Sequence, residues 1–174
     1  MLGYGYDPDL SQGSVKPPVF LTSTFTSPSA DAAREFFDIA TGRAAGHNDV
    51  DGGLIYARYN HPNAQIVEER LALFEGADVG AVFSSGMAAI ATAMLAHCRP
   101  GDVILHTEPV YGGTTALLKK VLPEYGITTE PVTDADDPAT MRAAIARAEA
   151  KGRLAMIFLE SPSNPLIRLA DIGL

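Results

Sequence analysis

Four short segments combine residue types that do chemistry with a backbone free to present them. The first is Ser84-Ser85-Gly86-Met87. It follows a short apolar run, Ala81-Val82-Phe83, and opens an apolar helical stretch. Unpaired N–H groups at a helix start, together with the helix dipole, favour an anion. Gly86 lets a ligand come close to the backbone. Taken alone, the turn reads equally as a capped helix. It carries neither G-x-G-x-x-G nor Gly-Lys-Ser/Thr, which excludes a dinucleotide fingerprint and a Walker loop. The second segment is Pro109-Val110-Tyr111-Gly112-Gly113-Thr114. Its tyrosine could stack on a planar cofactor, or equally pack its own loop. The third, Glu160-Ser161-Pro162-Ser163-Asn164-Pro165, is stiffened by two prolines. It would hold the Asn164 amide for polar recognition, although Asn-Pro by itself reads as a turn. The fourth is Tyr56-Ala57-Arg58-Tyr59-Asn60-His61-Pro62-Asn63. In an extended segment Tyr56 and Arg58 point to one side. A hydroxyl and a guanidinium so placed can clamp a phosphate. An exposed arginine beside a packed tyrosine is the plainer reading of that segment alone.

These loops need a scaffold, and the chain supplies one from Asn63 onward. A helix is expected from Asn63 as N-cap, with Ile66, Val67, Leu71, Leu73 and Phe74 on one broad face and Gly76 as its stop. The alternation continues with a strand at 81–83, a helix at 87–98 and a strand at 103–105. A helix follows at 114–122, with Leu117, Leu118 and Val121 inward. Next come a strand at 127–132, a helix from Asp137-Pro138 to Ala150, and a continuous apolar strand at 154–159 of the kind buried on both faces. Arg147 and Lys151 suit the dipole at the end of that helix. Such alternation predicts an α/β fold with a mainly parallel sheet, whose ligands sit at the carboxyl ends of strands. The loops after Phe83, Leu105 and Leu159 stand there.

Residues 1–55 differ. They are rich in Gly, Pro, Ser, Thr and Asp, with one β-like run at 19–25 and a short helix capped at Ser27 or Ser29. The remainder, including "TGRAAGHNDVDGG", reads as loop. This is an arm with too little periodic apolar surface to fold alone. The expected division is therefore an arm at 1–55 and a domain at 56–174.

The net charge of −8 argues against a nucleic-acid groove or an anionic membrane surface. Met87–Ala96 is the longest largely apolar run and is too short to span a bilayer. The start has neither the basic nor the apolar region of a secretory signal, so a cytoplasmic location is expected. A single cysteine, Cys98, allows no internal disulfide, and no Cys/His spacing forms a metal site. Cys98 reads as a core residue at a helix end. His97 and His106 border element ends, His47 lies in a loop, and His61 reads as a turn residue.

In sequence order, "YARYNHPN…FEGAD…SSGMAAI…RPGD…VYGGT…ESPSNP" resembles the Cys/Met-metabolism family of pyridoxal 5'-phosphate (PLP) enzymes. Cystathionine γ-synthase, cystathionine γ-lyase, methionine γ-lyase and O-acetylhomoserine sulfhydrylase belong to it. The resemblance runs from about Pro17 to Asp171. It implies fold type I, an α/β/α large domain like that of aspartate aminotransferase, here incomplete and preceded by the irregular arm. It implies PLP as cofactor, with Gly86 and Met87 as backbone donors to its phosphate. Tyr111 would stack over the pyridine as the catalytic-site ring. Asn164 would lie near the 3'-oxygen and the substrate carboxylate. Tyr56 and Arg58 would reach the phosphate of the neighbouring subunit's cofactor, which implies a homodimer or homotetramer with shared sites. Glu160 matches an acidic residue of the same loop. The expected reactions are β- or γ-elimination, or γ-replacement, on cystathionine, methionine or O-activated homoserine.

The chain also departs from the family pattern. Its lysines are Lys16, Lys119, Lys120 and Lys151, and none lies in the Ser-x-Thr-Lys setting of the family's Schiff-base lysine. The aspartate that pairs with the pyridine nitrogen also falls beyond the last strand. A new helix is expected to begin at "LADIGL". An N-terminal portion of a longer enzyme is expected, or a catalytically inert family member that only oligomerises. Gly113 stands where methionine γ-lyases carry cysteine, and Ala116 where cystathionine enzymes often carry arginine.

Overall fold

The computed structural model describes residues 7–46 and 53–173. His47 and the segment around it lie outside the described residues. The chain divides into two compact units, Met1–Val82 and Phe83–Leu174.

In the first unit a 3-10 turn at Pro8–Ser11 precedes α1, Ala30–Ala40. Of the two possible caps, Ser29 serves: its Oγ accepts from the Ala32 N–H at 3.1 Å. Helix α2 spans Pro62–Glu75 and stops at Gly76, whose φ of 62° is left-handed. Its cap is His61, not Asn63. The His61 Nδ1 accepts from the Asn63 N–H at 3.1 Å, and Pro62 takes the first helical position, where no N–H is needed. Asn63 is thereby released for another task. Its side chain donates to the Phe20 carbonyl and accepts from the Phe20 N–H, both at 3.1 Å. Because Nδ1 of His61 is an acceptor, the proton belongs on Nε2, which donates to the Thr22 carbonyl at 3.0 Å. These bonds explain why the run at 19–25 forms no strand. Its backbone groups are met by side chains, and only Thr24 pairs with another strand-like residue, Tyr56.

Two further expectations fail in this unit. Residues 81–83 form no strand: the Val82 N–H donates to Glu68 Oε1 at 2.8 Å, in place of a ladder bond. The apolar face of α2 is not one buried stripe either. Ile66 and Ala72 are buried, while Val67, Leu71, Leu73 and Phe74 are exposed.

The second unit holds the sheet. Helix α3, Gly86–His97, is capped by Ser85, whose Oγ accepts from the Ala88 N–H at 3.1 Å. Strand β1 is Asp102–Thr107. Helix α4, Gly112–Ala116, runs into a π turn at Leu117–Val121 and a 3-10 turn at Leu122–Tyr125, ended by left-handed Gly126. The π turn changes the helical phase, so Leu117 and Leu118 are buried but Val121 turns outward. Strand β2 is Thr128–Val132; α5 is Pro138–Lys151, capped by Asp137; β3 is Arg153–Phe158. The order is β2-β1-β3, with β1 parallel to both neighbours.

Side chains alternate across β1. Ile104 packs with Met94, Leu117 and Leu118 on one face, and Leu105 with Val132 and Ala144 on the other. Helices therefore cover both faces, giving an α/β/α unit. All six residues of β1 are buried, whereas β3 is only half-buried and Ile157 is exposed. Among the described residues the strand expected to be buried on both faces has one neighbour, β1, and β1 is the strand that is buried throughout. No helix forms at 169–173, where backbone N–H groups turn to side chains: Ala170 to Ser161 Oγ and Asp171 to Asp136 Oδ1. Cys98 is buried at the end of α3, and burial pushes its thiol pKa up, the opposite of what a nucleophile needs.

Two buried carboxylates tie the layers. Asp102 takes a forked pair of bonds from Arg153, at 2.8 and 2.6 Å, and one from the Arg99 N–H at 2.7 Å. Glu130 is paired with Lys151 and Arg147. The Arg153 bonds hold the Asp102 carboxyl below its ordinary pKa, and Lys151 with Arg147 do so for Glu130. Lowered folded values mean stabilisation that is complete above the unfolded carboxylate pKa, near 4, and lost as pH falls through the folded values. Asp102→Asn and Glu130→Gln should each lower the urea midpoint at neutral pH and flatten its fall below about pH 4; unchanged acid profiles would contradict this. Gly152 meets a separate constraint, because a Cβ there would lie 2.3 Å from the Gly101 carbonyl oxygen. Gly152→Ala should cost about 1–3 kcal/mol in equilibrium unfolding, the usual range for overpacking.

Candidate functional site

Three of the four sequence segments meet at the carboxyl end of the sheet in the second unit. At the start of α3, Ser85 Oγ engages the Ala88 N–H, leaving the N–H groups of Gly86 and Met87 without a protein acceptor among the described residues. Gly86 is exposed, and a Cβ built there meets no atom within 4 Å. No neighbouring protein atom therefore requires a glycine here.

Tyr111 stands at the start of α4 with its ring exposed. Gly113 is packed between this ring and Met87. A Cβ at Gly113 would lie 2.7 Å from the Tyr111 ring and 3.0 Å from the Met87 sulfur. The Thr114 hydroxyl also contacts that sulfur at 3.8 Å. The first and second segments are thus one packed cluster.

Glu160 joins the third segment to it. Its carboxylate accepts the Tyr111 N–H, 3.0 Å from each oxygen, and Oε1 accepts the Asn164 N–H at 2.8 Å. Its own N–H donates to Thr107 Oγ1, at the end of β1. The Ser161–Pro162 and Asn164–Pro165 peptide bonds are both cis. Asn164 itself is exposed. An open cleft of about 690 Å³ lies beside this cluster at the ends of β1 and β2, with Glu160, Ser163 and Arg168 among its walls.

Tyr56 and Arg58 belong to the first unit. Their segment is not extended: the Tyr59 N–H donates to the Tyr56 carbonyl at 2.7 Å and closes a turn. The Arg58 guanidinium nevertheless lies over both the Tyr56 and Tyr59 rings, 5.6 and 5.4 Å from their centroids. Stacking of this kind orients a guanidinium while leaving its donors available. These residues line a cleft of about 400 Å³ with Phe25 and Phe37. The packing role of Gly113 and the bridging role of Glu160 were not legible in the sequence. A charged residue immediately after an apolar strand was the signal for Glu160.

The whole chain, residues 1–174, matches the family model described as Cys/Met metabolism PLP-dependent enzyme. The chain belongs to this family. It is 36% identical over 170 residues to an L-methionine gamma-lyase of Pseudomonas deceptionensis, covering 98% of this chain and 39% of the relative. It is 35% identical to a cystathionine gamma-synthase of Mycobacterium leprae, over 97% of this chain and 37% of the relative. A crystal structure from Campylobacter jejuni, assigned as an O-acetylhomoserine (thiol)-lyase with a pyridoxyl-lysine-5'-monophosphate, superposes with a TM-score of 0.80 at 29% identity. That match covers 98% of this chain and 38% of the other. The motif-based resemblance and the fold type are borne out, and the chain spans about two-fifths of the length of these relatives.

PLP is the cofactor of this family, and the donor set fits a phosphate. The N–H groups of Gly86 and Met87 open a twelve-residue helix, and the space a Cβ would fill at Gly86 holds no protein atom. Gly113 sets the neighbouring ring. Gly113→Ala should displace the Tyr111 ring, because the ring can move where backbone cannot, whereas Gly112, with nothing within 4 Å of its Cβ position, should tolerate alanine. Crystal structures of the two variants check this. A Tyr111 ring unmoved in Gly113→Ala would contradict it.

Proposed function

We propose that this chain is the cofactor-phosphate and ring-binding part of a PLP-dependent enzyme acting on sulfur amino acids. The reaction is elimination or replacement at the β- or γ-carbon of cystathionine, methionine or an O-activated homoserine. The observation that carries this is the convergence of Gly86, Met87, Tyr111 and Asn164 on one sheet edge, fastened by Glu160. Gly86 and Met87 donate to the cofactor phosphate. The Tyr111 ring covers the pyridine face, and Asn164 orients the 3'-oxygen and the substrate carboxylate. Tyr56 and Arg58 serve the phosphate of a neighbouring subunit, so the enzyme is a homodimer or homotetramer. A cytoplasmic location belongs to the same reading; among the described residues no helix is long and apolar enough to cross a membrane.

When bound, PLP supplies an electron sink for loss of the Cα proton. This chain's own residues bind and orient it. The lysine that would hold it is supplied outside these residues. Lys119 is paired with Glu108 and Lys151 with Glu130, each occupied in an ion pair.

One observation speaks against a methionine γ-lyase and leaves the family's other activities open. Gly113 has no space for a side chain beside the Tyr111 ring and the Met87 sulfur, and methionine γ-lyases resemble one another in having cysteine there. Rates with homoserine esters, cystathionine and methionine would separate these activities.

PLP titration of the full-length protein, followed by visible absorbance and by borohydride trapping, tests the cofactor reading. A trapped adduct on Lys16, Lys119, Lys120 or Lys151 would overturn the expectation that the lysine lies elsewhere. Gly86→Ala should leave thermal stability intact, since its methyl meets no protein atom. It should weaken PLP binding by about tenfold or more, because the added methyl group occupies the space through which a phosphate approaches the backbone N–H groups. Arg58→Ala should weaken it as well. Unchanged affinity in both variants would sink the phosphate assignment.

A further inference from the structure

The geometry points to Glu160 as a positioning residue that sets Tyr111 and Asn164 together, so that the ring-stacking and amide-bearing loops move as one body. This rests on the PLP reading of the site and adds to it a residue that need not touch the cofactor.

Three observations carry it. First, the carboxylate serves two loops at once: Tyr111 lies 49 residues earlier in the sequence and Asn164 four later, and both donate their backbone N–H to it. Second, Glu160 is itself anchored, because its N–H is held by Thr107 Oγ1 on the buried end of β1. Third, Tyr111 has no side-chain cap at the start of α4. Glu160 therefore provides the polar tie on that residue's backbone, and negative charge at a helix start is favourable in its own right. An ionised carboxylate is an acceptor only, so both oxygens can face N–H groups without conflict.

The atoms differ in how replaceable they are. Oε1 accepts from both Tyr111 and Asn164, whereas Oε2 accepts from Tyr111 alone. A glutamine with its carbonyl oxygen in the Oε1 position keeps the Asn164 bond and one of the two Tyr111 contacts. It replaces the other with an NH₂ group turned toward the Tyr111 N–H, donor against donor, and so weakens the Tyr111 tie. Alanine removes both ties.

The test uses the full-length protein and reads amide hydrogen exchange at residues 111 and 164 in the absence of PLP, then the PLP dissociation constant. In Glu160→Ala both amides should exchange about tenfold faster while exchange in β1 is unchanged, and PLP should bind about tenfold more weakly. In Glu160→Gln, Asn164 should exchange as in the unsubstituted protein and Tyr111 faster. If Glu160→Ala leaves either amide unchanged, or Glu160→Gln matches it at Asn164, the coupling is overturned. Faster exchange at both amides with unaltered PLP affinity would overturn the positioning role. Failure of the unsubstituted protein to bind PLP would instead sink the cofactor reading, with the exchange data still deciding the coupling.

Discussion

The candidate site hangs from β1. It is the one described strand paired along both edges, and Val103, Ile104 and Leu105 are fully buried. Side chains of this kind contribute about 1.5–3 kcal/mol each on burial, so the strand is held firmly in the core of the second unit. It is also held at both ends. Asp102 at its start takes the Arg153 fork from β3 and the Arg99 N–H from the turn after α3. Thr107 at its end receives the Glu160 N–H. The first contact fixes how β3 lies beside β1; the second fixes where the loop after β3 begins. The position of Asn164 is therefore inherited from the core rather than chosen by its own loop.

The fold was legible wherever burial and period agree. Strands β1, β2 and β3, with helices α3 and α5, fall within a residue or two of expectation, because all but β2 have an apolar run or a strong cap and β2 sits in the interval between two such elements. What was not legible depended on partners distant in sequence. Ala81-Val82-Phe83 has the composition of a strand, but Glu68, fourteen residues earlier, takes the Val82 N–H. His61 and Asn63 are both competent caps. Which one caps depended on Phe20, 43 residues away, accepting the Asn63 side chain. The run at 154–159 announces a capacity for two-sided burial, but one described neighbour leaves β3 half-covered.

The site was legible as a set of loops and less so as an arrangement. Motif order along the chain carried the family, and strand polarity carried the loops to one edge. The fastening was invisible because its bonds are between backbone N–H groups and a carboxylate, and backbone donors leave no trace in residue type. Glu160 could be matched to an acidic residue of its loop but given no role, for that reason.

Gly86 and Gly113 show how one residue type can answer opposite constraints. At Gly86 the protein would accept a side chain: nothing lies within 4 Å of the Cβ position, and alanine is the better helix former. A glycine placed against local propensity is compatible with a ligand seated on the helix-start N–H groups, as proposed above. At Gly113 the reason is internal. The ring of Tyr111 and the sulfur of Met87 already fill the space, so glycine there is dictated by packing. Both ends of that packing belong to the candidate site, and Met87 is also one of the two residues proposed as helix-start donors. A side chain at 113 would therefore press on both ends of the candidate site together, so a substitution there acts on its whole shape.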